Sequence, residues 1–136
     1  MSSIFAKIVN GEISCHKIAE TEKFLAFLDV FPLVQGHILV IPKKETDYIF
    51  DMQDTDLSEM MVFAKRIAKA QKAAVVCKRI GVAVIGLEVP HAHIHLVPMN
   101  TANDINFTQP KLSPSQDELS DMADKIRSSL KEIIPV

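Results

Sequence analysis

His91-Ala92-His93-Ile94-His95-Leu96-Val97 places a histidine at every second position from 91 to 95 and an aliphatic residue after each one. Strict alternation is the period of a β-strand, on which residues i, i+2 and i+4 share one face. The stretch therefore predicts a strand over 91–97 whose imidazoles point one way while the aliphatic side chains face a core. Surface strands usually present lysine, glutamate, threonine or serine, so a solvated face that merely happens to be rich in histidine is the less favoured interpretation.

Two kinds of chemistry fit such a face. Imidazole is the commonest metal ligand, but an ion needs a third and often a fourth ligand. The sequence offers only the distant His37, with no obvious carboxylate beside it. Alternate residues of a strand lie roughly 7 Å apart, so His91 and His95 are too far apart to chelate one ion comfortably. The second chemistry is attack of a neutral imidazole on phosphorus, while neighbouring imidazoles supply positive charge or a proton.

The rest of the chain predicts an α+β fold, an antiparallel sheet of about five strands with a long helix and an additional C-terminal helix. Asn10-Gly11 is expected to end a short first helix, and Asp54-Thr55-Asp56 offers N-capping oxygens to the long one. Hydrophobic periodicity predicts further strands at 17–20, 23–30, 36–42 and 82–85, and helices at 4–9, 54–75 and 115–134.

Length and composition indicate an ordinary globular protein of one domain. The chain has 136 residues, of which 48% are hydrophobic and 24% charged, and a domain of this size buries roughly two thirds of its unfolded surface. No linker or repeat divides the sequence. We expect a single domain over 1–136, with a core over 1–99 and a C-terminal extension over 100–136.

Charge and cysteine content narrow the partners and the compartment. A net charge of -2 without a block of basic residues argues against binding of long nucleic acids, whose affinity comes from neutralised phosphates, but leaves a small anionic ligand possible. Cys15 and Cys77 have neither disulfide-framework nor zinc-ribbon spacing. The chain shows no signal-peptide pattern or apolar run of ~18 residues. We therefore expect a cytoplasmic protein without a membrane partner.

The histidine run also resembles a known signature, that of the histidine-triad (HIT) superfamily: His, apolar, His, apolar, His, apolar, apolar. Residues 91–97 match all seven positions. Similarity to the Hint-like branch of the superfamily extends upstream through residues 4–13, 27–32 and 36–43, in that order. The resemblance thus covers most of residues 3–98.

The resemblance implies a nucleotide hydrolase or transferase that needs no cofactor and no metal. His93 would attack the α-phosphate of a purine nucleotide derivative and form a nucleotidyl-histidine intermediate that water resolves. His95 would hold the phosphate or serve the leaving group. His91 and His37 would complete the network, with His37 supporting His91 from the neighbouring strand. A homodimer is also implied, paired through the long helix and a sheet edge.

The resemblance further implies residues that bind the nucleoside. Asp29 matches the acidic residue that binds the ribose hydroxyls, although a turn aspartate would look the same. The positions that match an apolar enclosure for the base could equally be ordinary core; they are Ile4, Phe5, Ile8, Phe27 and Val30.

Two departures from the family pattern bear on function. Some relatives carry cysteines at the positions of Ser3 and Ala6 for a structural zinc, which this chain cannot build in that way. Hint-type phosphoramidases also place an asparagine and a serine before the triad, whereas residues 82–90 contain neither, and Glu88 stands where the serine aligns. Glu88 could assist the leaving group, repel anionic substrates or face solvent. We include Gly86, Glu88 and Val89 among the candidate substrate contacts.

Two alternatives from other classes remain open at this point. One is a regulatory module that binds purine nucleotides with negligible turnover. The other is a metal-binding protein. The leaving group of the substrate is not decided by the sequence, and the role of the C-terminal helix is an open choice between a dimer contact and a lid.

Overall fold

The computed structural model describes residues 2–133 as a five-stranded antiparallel sheet with three helices. The helices are α1 (Ile4–Val9), α2 (Asp54–Ala74) and α3 (Gln116–Ile133). The strands are β1 (Lys17–Glu20), β2 (Phe24–Leu28), β3 (Ile38–Pro42), β4 (Arg79–Ala83) and β5 (Ile94–Met99). Their order in the sheet is β1-β2-β3-β5-β4. The α+β prediction is confirmed, with β3 as the central strand.

The sheet is buried on both faces, and its strands β2 and β3 are apolar and buried at every position. On one face α2 and α3 pack over the larger core, to which Met60, Ile67 and Ile126 contribute. On the other face Phe5 of α1 packs with Phe27 and with Leu25, Leu39 and Ile41. Residues of one parity along a strand share a face, so the second face is also the one that receives the side chain of His95.

The C-terminal helix is part of the larger core. Leu119, Ala123 and Ile126 of α3 are almost fully buried there, at the helical spacing that the sequence predicted. The inner side of α3 is thus occupied by its own sheet and by α2. The choice between a dimer contact and a lid concerns only its outer face.

The predicted strand over 91–97 is wrong at its start, since β5 begins at Ile94. His91 and Ala92 lie in an extended segment that bonds elsewhere: the Ala92 N–H donates to the Thr46 carbonyl, and the His91 N–H to the Val89 carbonyl. The aliphatic residues Ala92, Ile94 and Leu96 all belong to the larger core, as the alternation predicted. The period therefore assigns the core face correctly without reporting the strand boundary.

Three other predicted strands and the cap of α2 also differ from the structure, and the first of these strands, predicted at 23–30, is β2 at Phe24–Leu28. Gly36 has a φ of 86°, a conformation that excludes it from a strand, and β3 begins two residues later. The strand predicted at 82–85 lies at Arg79–Ala83, in register with β5. The N-cap of α2 is Gln53, without a side-chain hydrogen bond. Asp54 and Asp56 lie instead in the first turn, where their charges favour the helix dipole.

Candidate active site

Antiparallel pairing brings the candidate residues to one end of the second sheet face. Leu28 pairs with Ile38, and the next residue pair, Asp29 and His37, continues the ladder through a hydrogen bond from the Asp29 N–H to the His37 carbonyl at 3.0 Å. On the other side of β3, Leu39 pairs with His95. A carboxylate and two imidazoles therefore meet although they are far apart in sequence.

The imidazoles are buried, which contradicts the idea of a solvated face. His91 is 0% exposed, His93 7% and His95 8%. His37 is 1% exposed. Burial removes the water that would stabilise an imidazolium, so the charge state and the tautomer of each ring depend on its hydrogen-bond partners.

His37 and His95 form a directed pair. The Leu33 N–H donates to Nδ1 of His37 at 3.1 Å, so the proton of the neutral His37 ring lies on Nε2. That Nε2–H donates to Nδ1 of His95 at 3.0 Å. His95 consequently carries its own proton on Nε2, the nitrogen left to bind another molecule.

This pairing corrects the expectation for His37, which contacts His95 and not His91. Burial lowers the pKa of His37 to about 4 and that of His95 to about 3. Repulsion from neighbouring histidines and from the Lys111 ammonium adds to the effect of burial. Both rings are neutral at pH 7, so they donate hydrogen bonds but do not supply the positive charge that the sequence analysis assigned to neighbouring imidazoles.

His93 is directed the opposite way. Its Nδ1–H donates to the backbone carbonyl of His91 at 2.7 Å, which leaves the lone pair on Nε2. Burial lowers the pKa of His93, and the hydrogen bond to the His91 carbonyl and the charge of the exposed Glu88 oppose that shift only in part. The ring is thus held as a neutral imidazole with a free Nε2, the form that a nucleophile needs.

His91 has both ring nitrogens occupied by the protein. Its Nε2–H donates to the Pro42 carbonyl at 2.8 Å, and its Nδ1 accepts from the Ser3 hydroxyl at 2.9 Å. The Ser3 oxygen in turn accepts the Ala6 N–H as the N-cap of α1, and the Ser3 N–H donates to Glu45. His91 therefore orients the site without reaching into it.

The candidate base-binding residues divide into two groups. Phe5 and Phe27 are buried against each other, and the edge of Phe5 faces the rings of His91 and His93, with centroid distances of 6.0 and 5.0 Å. Ile8 and Val89 are half-buried beside them. Ile4 and Val30 are 51% and 42% exposed, so they are the members that a ligand can reach.

The turn before the triad contains the other candidate contacts. Gly86 has a φ of 73°, and open space surrounds the position that a side chain would take. Glu88 is exposed, three residues before the buried part of the triad segment.

Asp29 is partly buried next to the histidine pair. One of its oxygens accepts the Phe31 N–H at 2.9 Å, and the other lies 3.8 Å from Nε2 of His37. Burial raises its pKa. Its side chain keeps 20% exposure, which leaves room for a contact with a ligand.

Asp29, His37 and His95 offer donor atoms within 4.8 Å of one another, so a carboxylate does lie beside His37, contrary to the sequence analysis. The hydrogen-bond directions oppose coordination of a metal ion. Nδ1 of His37 accepts the Leu33 N–H, which places the proton on Nε2, the nitrogen that faces the other two donors. A ligating imidazole must present a lone pair there.

Sequence reasoning missed four residues at this site: Ser3 and Glu45 beside His91, and Phe107 and Lys111 beside His95. Ser3 carried a signal, since a serine just before a helical period is a typical N-cap. The others lie in irregular segments, where periodicity gives no orientation.

The fold and the four histidines together define an α+β protein of the histidine-triad class. The chain belongs to the HIT domain family, whose model matches residues 10–102, and the resemblance stated from the sequence is confirmed. It is 34% identical over 134 residues to the adenosine 5'-monophosphoramidase of Schizosaccharomyces pombe, covering 96% of this chain and 100% of the relative.

Solved structures agree with this assignment. A HIT-like protein from Bartonella henselae has a TM-score of 0.82 at 29% identity, covering 94% of this chain and 96% of its own. A zinc-bound histidine triad family protein from Mycobacterium smegmatis has a TM-score of 0.84 at 28% identity, with 98% and 96% covered. Within residues 2–133, no helix is both long and apolar enough to cross a bilayer.

Proposed function

We propose that this chain hydrolyses derivatives of adenosine 5'-monophosphate at the α-phosphate through a covalent intermediate on Nε2 of His93. The observation that carries the proposal is the hydrogen bond from Nδ1 of His93 to the His91 carbonyl. It fixes a neutral ring with its lone pair on the free nitrogen. The adenosine 5'-monophosphoramidase activity of the relative from S. pombe supports AMP as the transferred group.

The reaction takes two displacements. Nε2 of His93 forms a bond to the α-phosphorus, and the bond from phosphorus to the leaving group breaks with its electron pair on the leaving group. Water then attacks the same phosphorus, and His93 departs as a neutral imidazole that keeps its Nδ1 proton. The proton released by that water balances the one that the leaving group takes up. Splitting the reaction in this way replaces one difficult step by two easier ones.

His95 holds the phosphate in this scheme. Its Nε2–H is directed away from His37, and donation to a phosphate oxygen stabilises the charge that develops during displacement. Transfer of a proton from His95 is disfavoured, because a neutral imidazole would be left as an anion. Of the two roles left open by the sequence, the geometry therefore favours binding of the phosphate.

Asp29 is the proposed ribose ligand, since its free carboxylate oxygen can accept a hydrogen bond from a sugar hydroxyl. Ile4 and Val30 are the proposed base contacts because they are exposed beside the buried aromatic pair. The proposed role of Phe5 and Phe27 is to pack against the rings of the triad and hold them in place. Ile8, Val89 and Gly86 would line the edge of the nucleotide site.

A homodimer is proposed through the edge strand β4. Strand β4 pairs only with β5 among the described strands, so its outer edge has unpaired backbone groups that another strand can bind. Four apolar side chains on and after this strand are exposed by 40–88%: Val82, Val84, Ile85 and Leu87. A cytoplasmic location also remains a proposal, supported by the unbridged Cys15 and Cys77.

The test is to trap the intermediate. Wild-type protein is mixed with adenosine 5'-phosphoramidate, quenched rapidly at neutral or basic pH because the N–P bond is acid labile, and analysed by intact mass and peptide mapping. We expect one AMP adduct, on His93. His93→Asn should abolish the adduct and lower turnover by more than about a thousandfold, whereas the matched change His16→Asn, outside the site, should alter neither.

Two results would contradict the proposal. An adduct on another residue would show that the roles of the histidines are misassigned. Tight binding of AMP by the wild type, with neither adduct nor turnover on any adenylated substrate, would favour the regulatory nucleotide-binding module instead.

A further inference from the structure

The segment that follows β5 returns to the histidine site. After Met99 the chain forms a short 3₁₀ turn at Ala102–Ile105, whose capping box joins Thr101 and Asp104. Further along, the Leu112 N–H donates to the Pro32 carbonyl at 2.9 Å, in the loop between Asp29 and His37. The capped turn fixes the start of the segment 103–112, and the Leu112 bond fixes its end against the site. It lies beyond residue 102, where the match to the family model ends.

Phe107 of this segment covers the histidine pair. The centroid of its ring lies 4.6 Å from that of His95 and 6.4 Å from that of His37, and both contacts are edge-to-face. Such contacts are favourable and exclude water. Burial is the main cause of the low pKa of both histidines, so Phe107 helps to keep the pair neutral.

Neutral histidines leave a deficit of positive charge. A nucleotide phosphate is an anion, and the site built so far offers it hydrogen bonds but no cation. On the His93 side the nearby charge is that of Glu88, which is negative. On the His95 side it is that of Lys111, whose ammonium acts on Asp29, His37 and His95 alike.

Lys111 lies in the chain between two contacts with the site. It directly precedes Leu112, whose N–H is bonded to Pro32, and four residues earlier Phe107 lies on His95. The lysine is therefore bracketed by two contacts with the walls of the site, while its side chain is exposed. An exposed ammonium ion on a fixed backbone beside a buried hydrogen-bond donor is a suitable receptor for a phosphate group.

We propose that Lys111, which lies in the chain between the Phe107–His95 and Leu112–Pro32 contacts, is the cation that binds the substrate's α-phosphate. The inference rests on the proposed function only in taking a nucleoside monophosphate as the ligand, and it does not depend on the covalent step. It assigns a substrate-binding residue to a part of the chain outside the matched family region. Because a nucleoside lacks the phosphate, Lys111 would favour binding of a nucleotide over binding of a nucleoside.

The test compares ligands with and without the phosphate. Binding of AMP and of adenosine is measured by titration calorimetry for the wild type, Lys111→Met and the control Lys65→Met. Lys65 is an exposed lysine on α2, on the opposite side of the sheet. A charge-assisted hydrogen bond contributes about 1.5–3 kcal/mol, so Lys111→Met should weaken AMP binding roughly 10- to 100-fold and leave adenosine binding unchanged.

Two further measurements test whether the charge of Lys111 is responsible. Lys111→Arg should keep most of the AMP affinity, because it preserves the charge. Raising the salt concentration should weaken AMP binding to the wild type more than to Lys111→Met, since salt screens exposed charges. Lys65→Met should resemble the wild type throughout.

An unchanged ratio of AMP affinity to adenosine affinity in Lys111→Met would overturn the proposal. Equal loss of both affinities would overturn it too, because it would show that the lysine only shapes the segment. Binding requires no turnover, so this outcome is independent of the adduct experiment. A protein that binds AMP through Lys111 but forms no adduct would refute the proposed hydrolysis and leave the phosphate site in place.

Discussion

At the scale of single residues, the four histidines differ in what their neighbours offer them. A backbone N–H faces His37 and a backbone carbonyl faces His93, so the two rings carry their protons on opposite nitrogens. His95 inherits its tautomer from His37. One residue type thus gives a proposed nucleophile and a proposed hydrogen-bond donor within 4.8 Å, the distance between the ring centroids of His93 and His95.

Ser3 is the residue on which the orientation of His91 depends. We predict that Ser3→Ala lowers kcat roughly tenfold with little change in KM, because it leaves the buried Nδ1 of His91 unpaired and loosens the carbonyl that orients His93. Ser3→Thr keeps the hydroxyl and should restore most of the rate. Steady-state kinetics on adenosine 5'-phosphoramidate measure both values.

Loss of the helix cap complicates this prediction and also supplies its control. Ser3 caps α1, and removal of a cap typically costs about 1 kcal/mol of stability, so the rates are compared well below the melting temperature. The exposed Ser14→Ala should change nothing. If Ser3→Ala melted earlier but turned over as fast as the wild type, Ser3 would be only a cap.

At the scale of elements, α2 is joined to the sheet by one buried glutamine. Nε2 of Gln71 donates to the carbonyls of Gly36 and Leu96, at 2.8 and 2.9 Å, and the residue is 0% exposed. Gly36 immediately precedes His37, and Leu96 follows His95. The helix therefore fixes the spacing of the two strand regions that carry the proposed phosphate-binding pair.

We predict that Gln71→Leu destabilises the fold by about 2 kcal/mol, because two buried carbonyls lose donors that contribute about 1 kcal/mol each. Removal of the unpartnered Oε1 of the same side chain offsets part of the loss. Urea unfolding measures the change. Lys69→Leu, on the exposed side of the same helix, should stay within about 0.5 kcal/mol, and an equally small effect of Gln71→Leu would refute the bridging role.

Elements were predictable from the sequence where the hydrophobic period reflected burial. The bounds of α1 and β1 agree with prediction, and α3 begins one residue later than predicted, while its predicted last residue, 134, lies outside the described residues. The start of β5 was not predictable, because the alternation of histidine and aliphatic residues includes His91 and Ala92 while their backbones bond to Val89 and Thr46. Which partner a backbone group finds is a tertiary property that a local pattern does not contain.

The same limit separates the expected site residues from the missed ones. The triad itself has a local period, and the resemblance supplied His37 and Asp29. Phe107 and Lys111 lie in a stretch without a period, and their positions depend on the Leu112–Pro32 hydrogen bond. No spacing rule predicts such a bond between segments 80 residues apart in sequence.

At the scale of the whole molecule, the buried neutral histidines make stability depend on pH. In the unfolded chain a histidine has a pKa near 6.5, whereas in the fold His37 has about 4 and His95 about 3. As the pH falls below 6.5, the unfolded chain takes up protons that the folded chain does not. Linkage then requires the free energy of unfolding to fall with pH.

Other groups act mainly below this window. Hydrogen bonds from Lys17 and Lys43 lower the pKa of Glu20 to about 2, so its contribution to stability is lost only as the pH falls from about 4.5 to 2. Burial raises the pKa of Asp29, which has the opposite sign, since a carboxyl group favoured as the acid in the fold gains stability as the pH falls. The range from pH 6.5 to 5 is therefore governed largely by histidines.

We predict that each of His37 and His95 accounts for a loss of about 1.6 kcal/mol between pH 6.5 and 5, the linkage value for a group that has a pKa near 6.5 in the unfolded chain and protonates only there. Urea unfolding at half-unit pH steps measures the slope. The double variant His37→Asn with His95→Asn should be less stable at pH 7 because its buried pair is gone. Its free energy of unfolding should nevertheless change clearly less with pH. If the free energy of unfolding of the double variant depended on pH as steeply as that of the wild type, the histidine pair would be protonated in the folded protein near neutral pH. The positive charge for the phosphate would then not have to come from Lys111.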